Sequence, residues 1–438
     1  MDRRRRRVLQ ACGAAALGLA GCLGRGGPGT ESTTRTQTPA DGTDTTSQPP
    51  PGGSTTSPSD PPTDDRTPAG PSRTRWHVPT ERTPGRPLVV DGTCYLGTGD
   101  LFEGGETSAP VDLLAVDDAG EVRWRHDTGQ VGADVVAVED GTVYAFSGDT
   151  SGPHGDDYRL HAFDADTGER QWVWAPDMPY KFFEFLGVRD GTVFVGTHDD
   201  ALQHEGESVH AVADGAGVWT QPEGDVMGGT LVRDTVVTND PAGLGGFAAS
   251  DGTERWTFEE PRHGGIDATG FGDLVLVGSE RVDALDHRTG ARQWRFDDWT
   301  VTSLTVAGER AFVGGEQVAA LDRAGATLWT YDRGGLLSDF GTSTGLVGTS
   351  QYELFVLERA DGEERWRVEV DTEFASPGGV ADGRLAYGTR EGGVVAVDVA
   401  TGEEAWGWKP RAGLGDPVVA AGAFVVGREG GGLWAIEP

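Results

Sequence analysis

The sequence predicts an all-β fold, a single β-propeller of four-stranded antiparallel blades, on three observations. First, a glycine stands four residues before a tryptophan eight times: Gly120/Trp124, Gly168/Trp172, Gly215/Trp219, Gly252/Trp256, Gly290/Trp294, Gly325/Trp329, Gly362/Trp366 and Gly402/Trp406. Second, the interval between successive tryptophans, 35 to 48 residues, is filled by short apolar runs and tight-turn dipeptides. Third, the two ends of the repeat region are incomplete units that complement each other. A fixed period of this length marks one supersecondary unit used many times.

Each unit has the same internal order. Runs such as VVAVEDGTVYAF (Val135 to Phe146) and FLGVRDGTVFVGT (Phe185 to Thr197) place Asp-Gly between alternating apolar stretches, a strong signal for a hairpin of the first two strands. A third strand follows, as in LHAFDAD (Leu160 to Asp166), VDALDH (Val282 to His287) and VVAVDVA (Val394 to Ala400). It ends in Thr-Gly or Asp-Gly, where glycine takes up a positive φ. The fourth strand carries the tryptophan. One such blade cannot bury both faces alone, so the tryptophans are read as packing between one blade and the next. They form the structural set Trp76, Trp124, Trp172, Trp219, Trp256, Trp294, Trp329, Trp366 and Trp406.

At the ends, Trp76 has Ser72 rather than glycine four places before it, as expected of a lone fourth strand. PVVAAGAFVVGREGGGLWAIEP (Pro417 to Pro438) supplies three strands without a fourth. Pairing these two fragments would close the ring and remove the sheet edges.

The best copies, DADTGERQW, DHRTGARQW and DVATGEEAW, carry Asp-x-x-Thr-Gly followed by Trp. In this they resemble the quinoprotein-type (pyrroloquinoline quinone-like) propeller repeat, and the resemblance spans residues 76–438. It implies a ring of eight blades, the usual number, although nine repeat units can be counted. The unit from Val226 to Trp256 is the one expected to fall short of a full blade.

The front of the chain reads differently. Arg3 to Arg7 are basic, Arg5-Arg6-Arg7-Val8-Leu9 matches a loose twin-arginine pattern, and Val8 to Gly21 is a short run of small apolar residues. It is too short to span a bilayer and has the flanks of an export signal. Leu19-Ala20-Gly21-Cys22 resembles the lipobox of prokaryotic lipoproteins, which implies a diacylglyceryl group on Cys22 and a signal peptide of residues 1–21. The expected location is the outer face of the cell membrane, held by that lipid. Residues 22–75 are rich in Thr, Ser, Pro, Gly and Asp and cannot bury enough apolar surface to fold, so they are expected to form a disordered stalk.

Seventy carboxylates face thirty-six basic residues, for a net charge of −34, and only Lys181 and Lys409 are lysines. Such a surface repels nucleic acid. In composition it resembles the acidic, lysine-poor proteins of extreme halophiles, a haloarchaeal pattern. With Cys12 in the signal and Cys22 lipidated, Cys94 stands alone and reads as a small core residue.

The resemblance raises the alternative of a quinone-dependent dehydrogenase holding pyrroloquinoline quinone with calcium. Enzymes of that kind commonly use adjacent cysteines and Glu/Asn/Asp calcium ligands. This chain has no Cys-Cys pair, and its one asparagine is Asn239. No nucleophile elbow, phosphate loop or zinc-protease helix motif appears either. The reading is therefore a non-catalytic surface scaffold needing no cofactor, with an envelope protein as partner. A carbohydrate- or metal-binding module is a further alternative.

Units one to three are longer than the rest, the surplus falling between second and third strands at Gly99 to Pro110, Gly148 to Asp157 and His198 to Gly206. Consecutive long loops on one rim of a rigid ring are where binding concentrates. Their candidate metal ligands are His154, Asp156, Asp157, His198, Asp199, Asp200 and His204, with Glu205 beside them. Solvated loop tips of an acidic protein are the plainer reading. Tyr180, Lys181, Phe182 and Phe183 put aromatics on the same rim, where packing is expected.

Overall fold

The computed structural model describes residues 9–10, 72–99, 111–148, 158–176, 182–198, 208–222, 226, 228–240, 243–259, 266–338, 345–350, 352–370, 376–410 and 412–438. Among these every regular element is a β-strand and every strand pair is antiparallel. Blade 1 is the sheet Leu88–Val90, Thr93–Gly97, Asp112–Val116 and Val122–Asp127. The following blades repeat that order, innermost strand first. Leu9–Gln10 lies antiparallel beside the innermost strand of blade 2, Gly132–Glu139, opposite Val138 and Ala137.

The N- and C-terminal strands pair as the sequence predicts. Thr74–Val78 lies along Leu433–Ile436, making the fourth strand of a composite blade 9 with Val418–Ala420 and Ala423–Gly427. Among the described residues nine apolar clusters form the core, each drawn mainly from two consecutive blades. The cluster of Cys94, Leu96, Leu114 and Val116 with Val418, Val425, Leu433 and Ala435 joins blade 1 to blade 9 and completes the circle. Each fully buried Leu or Val contributes about 1.5–3 kcal/mol of apolar transfer, so the joints between blades carry most of the cohesion.

The nine repeat units form nine blades rather than the eight expected, and they are carried by eight sheets. Blades 5 and 6 share one six-stranded sheet because their connections are minimal. Leu274–Asp286 runs through the positions of second and third strands, turning at Glu280 with φ 60. Arg292–Ala307 serves as the fourth strand of blade 5 and then as the first of blade 6. The expectation that Val226 to Trp256 falls short is corrected: Gly228–Val232, Thr235–Asp240, Gly243–Ala248 and Glu254–Phe258 form a full four-stranded sheet. Its third strand is poor in side chains because the Trp256 ring lies over it. A Cβ on Gly246 would stand 2.2 Å from that ring.

The hairpins of the innermost strands turn as Asp-Gly requires. Asp140 and Gly141 have φ of 45 and 82, the double positive φ of a type I′ turn.

Candidate functional site

The repeat motif itself is a joint between blades. In DADTG, the Asp164 carboxylate accepts from the backbone N–H groups of Asp166 and Thr167 and from the Thr167 hydroxyl, at 3.1, 2.8 and 2.8 Å. Asp286 is bonded in the same way to Arg288 and Thr289. These bonds hold Asp164 and Asp286 below the usual carboxylate range. The turn brings its glycine under the tryptophan of the preceding blade. A Cβ on Gly168 would lie 2.5 Å from the Trp124 ring, and one on Gly325 2.6 Å from Trp294. The indole then donates across the joint, from Trp124 to Ala165 O at 2.9 Å, Trp256 to His287 O at 2.9 Å, and Trp366 to Val399 O at 2.7 Å. Beside each tryptophan the ladder slips by one residue, as between Ala115 and Val116, a bulge that re-aims the ring. Aspartate, threonine, glycine and tryptophan of the motif are therefore all engaged in structure.

Function must then be sought on the rim, and the stems of the long loops stand together there. Gly99 bridges to Gly132, which also pairs with Gly148, so the first and second inserts leave the ring side by side. The third leaves from Thr197 and Ser208, tied by the Thr197 hydroxyl to Ser208 O and N at 3.1 Å each. His154, Asp156, Asp157, Asp199, Asp200, His204, Glu205, Tyr180 and Lys181 lie outside the described residues, as do Cys12 and Cys22. His198 closes the strand Thr192–His198. Among the described residues no group of three or more His, Cys, Asp or Glu side chains could hold a metal ion.

Beneath the stems is a floor of aromatic packing. Phe183 is buried against Phe146 at 5.2 Å, Tyr158 at 5.8 Å and Trp174 at 5.9 Å, the rim packing expected of it. The stem is shut at its base by Tyr158, whose ring would stand 2.9 Å from a Cβ on Gly148. His210 is 8% exposed, its ring tilted against Trp174 at 5.2 Å with Nδ1 3.1 Å from the Thr220 hydroxyl, and burial drives its pKa down to about 4. Ser147 Oγ and His161 Nε2 are 2.7 Å apart, but both residues are fully buried and no reactant reaches them. Asp112, also buried, is held by Arg125 at 2.8 Å.

Burial raises the pKa of Asp112, and Asp134 is a second acid near the stems raised in the same way. It sits on the innermost strand of blade 2, its Oδ1 3.6 Å from where a Cβ on Gly85 would be. The residue is exposed, yet the surrounding blades crowd it. That partial desolvation lifts its pKa to about 6, against the opposing effect of the Val135 N–H. Cys94, 0% exposed, has its thiol pushed up to about 12 by burial and is inert as a nucleophile. Sequence reasoning missed Asp134, His210 and the Ser147–His161 pair. Each is one polar residue in an alternating strand, and its surroundings are set by a neighbouring blade.

Fold and site together define a repeat-built propeller with a closed ring and a decorated rim. The chain belongs to the family described as outer membrane protein assembly factor BamB, which matches at residues 70–180, 111–243, 173–295, 242–350 and 350–438. It is 32% identical over 148 residues to the BamB of Burkholderia pseudomallei, covering 31% of this chain and 39% of that one. It is 33% identical over 162 residues to the serine/threonine-protein kinase AfsK of Streptomyces coelicolor, covering 35% of this chain but 19% of the kinase. These curated relatives are thus matched over well under half of their own length. Among solved structures, BamB from Moraxella catarrhalis superposes with a TM-score of 0.51 at 16% identity, over 70% of this chain and 97% of that one. The computationally designed Ika8 protein superposes with a TM-score of 0.52 at 13% identity, over 82% and 98%. Likeness at that identity shows the fold alone.

Proposed function

We propose that this protein is a lipid-anchored, extracytoplasmic scaffold that binds an envelope protein through the rim of blades 1 to 3 and catalyses no reaction. The observation that carries the reading is the clustering of three consecutive insert stems on one side of a ring whose motif residues are all engaged in packing. Membership of a family named for an assembly factor supports the scaffold class. The lipobox-like Leu19-Ala20-Gly21-Cys22 supports the anchor, and the acidic, lysine-poor surface supports a partner met in concentrated salt.

The test is trimming. Replacing the inserts of blades 1 to 3 by two-residue turns should leave the circular dichroism of a folded ring, since hairpin loops tolerate such edits. The same edits should abolish the partner crosslinks of the intact protein, identified by mass spectrometry. Shortening hairpins of the compact later blades should change nothing. Capture of the same partner at the same yield by the trimmed ring would remove the rim from the reading. Saturable binding of pyrroloquinoline quinone with calcium would overturn the non-catalytic assignment.

A further inference from the structure

One joint of the ring is made differently from the rest. In the regular blades a peptide turn ties the third strand to the fourth, closed by a backbone bond from the aspartate position to the residue after the glycine. Asp164 N–H donates to Glu169 O at 2.9 Å, Asp286 to Ala291 at 3.0 Å and Asp398 to Glu403 at 2.8 Å. In blade 9 the same bond crosses between the two ends of the repeat region, from Glu437 N–H to Arg73 O at 2.9 Å. By this register Ser72 stands at the glycine position. Pro438 stands where the carbonyl that receives the neighbouring indole should be, but Arg73 Nη1 already donates to Pro438 O at 2.5 Å.

The consequence is visible in the facing tryptophan. Trp76, Trp124, Trp219, Trp256, Trp294, Trp329 and Trp366 all donate across their joints. Trp406, which faces blade 9, has a buried Nε1 with no hydrogen-bond partner among the described residues. What holds the closing strand is short: the register pairs Thr74↔Ile436, Trp76↔Ala435, His77↔Trp434 and Val78↔Leu433. Arg75 adds a bidentate pair with Glu437, at 2.6 and 3.1 Å, and donates to Ala421 O at 2.9 Å, so Glu437 is the side chain on which this end of the strand leans. The far end of the strand is better secured. Past Val78, the Thr80 and Thr83 hydroxyls accept from Gly432 and Gly430 N–H at 2.7 and 3.1 Å.

We propose that this joint is a gate built into the ring. Thr74–Val78 releases from Leu433–Ile436 as a unit, peeling from Thr74 towards the threonine-held end, while the other blades stay closed. A parted strand elsewhere is returned by its turn, which keeps it at high effective concentration. No turn does so in blade 9. Release uncovers the edge of Leu433, Trp434, Ala435 and Ile436, none more than 1% exposed in the closed ring. The gate strand is the one that continues into the N-terminal segment, so tension on that segment acts directly on it.

Native-state hydrogen exchange of the full chain in concentrated KCl, read by mass spectrometry, tests this. Amides of Thr74–Val78 and Leu433–Ile436 should exchange at least about tenfold faster than their counterparts Glu404–Trp408 and Val394–Asp398 in blade 8. Glu437→Gln should widen that ratio and leave the other blades unchanged. A ratio below about tenfold overturns the proposal. So does a Glu437→Gln variant in which all blades accelerate alike, because opening would then be global.

Discussion

Acidification should weaken the ring through His210, by an amount the structure fixes. The imidazole is 8% exposed and burial lowers its pKa from 6.5 to about 4. A folded-state value below the unfolded one means that the unfolded chain binds the proton more tightly. The stability is therefore whole above pH 6.5 and drains as pH falls towards 4. The gap corresponds to about 3 kcal/mol at completion, roughly 2 kcal/mol of it lost by pH 5. Asp134 works in the opposite sense. Its folded pKa is raised to about 6, so its protonation favours the folded state over part of the same range. The measurement must therefore be a difference. Urea unfolding of the native protein and of His210→Gln, at one high salt concentration, should be compared at pH 7 and pH 5. Glutamine does not titrate and can still meet the Thr220 hydroxyl, while every other group cancels. The native protein should lose roughly 2 kcal/mol more than the variant between the two pH values. Equal losses would refute the argument and show that His210 is hydrated in the folded ring.

Two further outcomes are expected. Gly325→Ala, with φ +82 and a Cβ 2.6 Å from the Trp294 ring, should cost about 1–3 kcal/mol of strain plus the displaced indole. Gly308→Ala, with a similar positive φ and nothing within 4 Å, should cost only the backbone part, and thermal melts of the two variants separate clash from conformation. The net charge of −34 should make the unfolding midpoint rise with KCl from dilute buffer to molar concentrations, as screening relieves repulsion in the folded state. A midpoint independent of salt would contradict the halophilic reading.

The ring was legible in the sequence because its joints are local signals. Gly168 and Trp172 lie four residues apart, and Asp140-Gly141 fixes its hairpin without help from elsewhere. The sharing of a sheet by blades 5 and 6 was less legible, because it follows from what is missing. Ser279-Glu280 is too short a turn to interrupt the run, and no loop separates Phe296 from Val301. Blade 4 was underestimated for a related reason. Glycines at 243, 245 and 246 leave its third strand few side chains, and Gly246 is small because Trp256 occupies its space. The site was least legible. His210 and Asp134 look alike in the sequence, as single polar residues in alternating strands. Crowding by the neighbouring blades disfavours the charged form of both, which raises the acid and lowers the base.

The third strand shows where this family of blades keeps its freedom. Opposite each repeat tryptophan the register places a small residue: Ala115, Ala162, Ala211, Gly246, Ala284, Ala320, Ala396 and Ala435, with Val356 the largest. The bulge beside the tryptophan leaves room for little more. One residue nearer the rim the constraint vanishes, and the same strands carry Leu114, His161, His210, Gly245, Asp283, Ala319, Phe355, Val395 and Trp434. The histidines stand in blades 2 and 3, under the long inserts, and Trp434 stands at the joint that closes the ring. A repeat that is uniform at its joints and variable one step towards the rim can change the packing beneath its loops without disturbing how it closes. Partner specificity in this chain is therefore expected to track the loops above those positions, and to be indifferent to substitutions in the Asp-x-x-Thr-Gly turns that leave the ring folded.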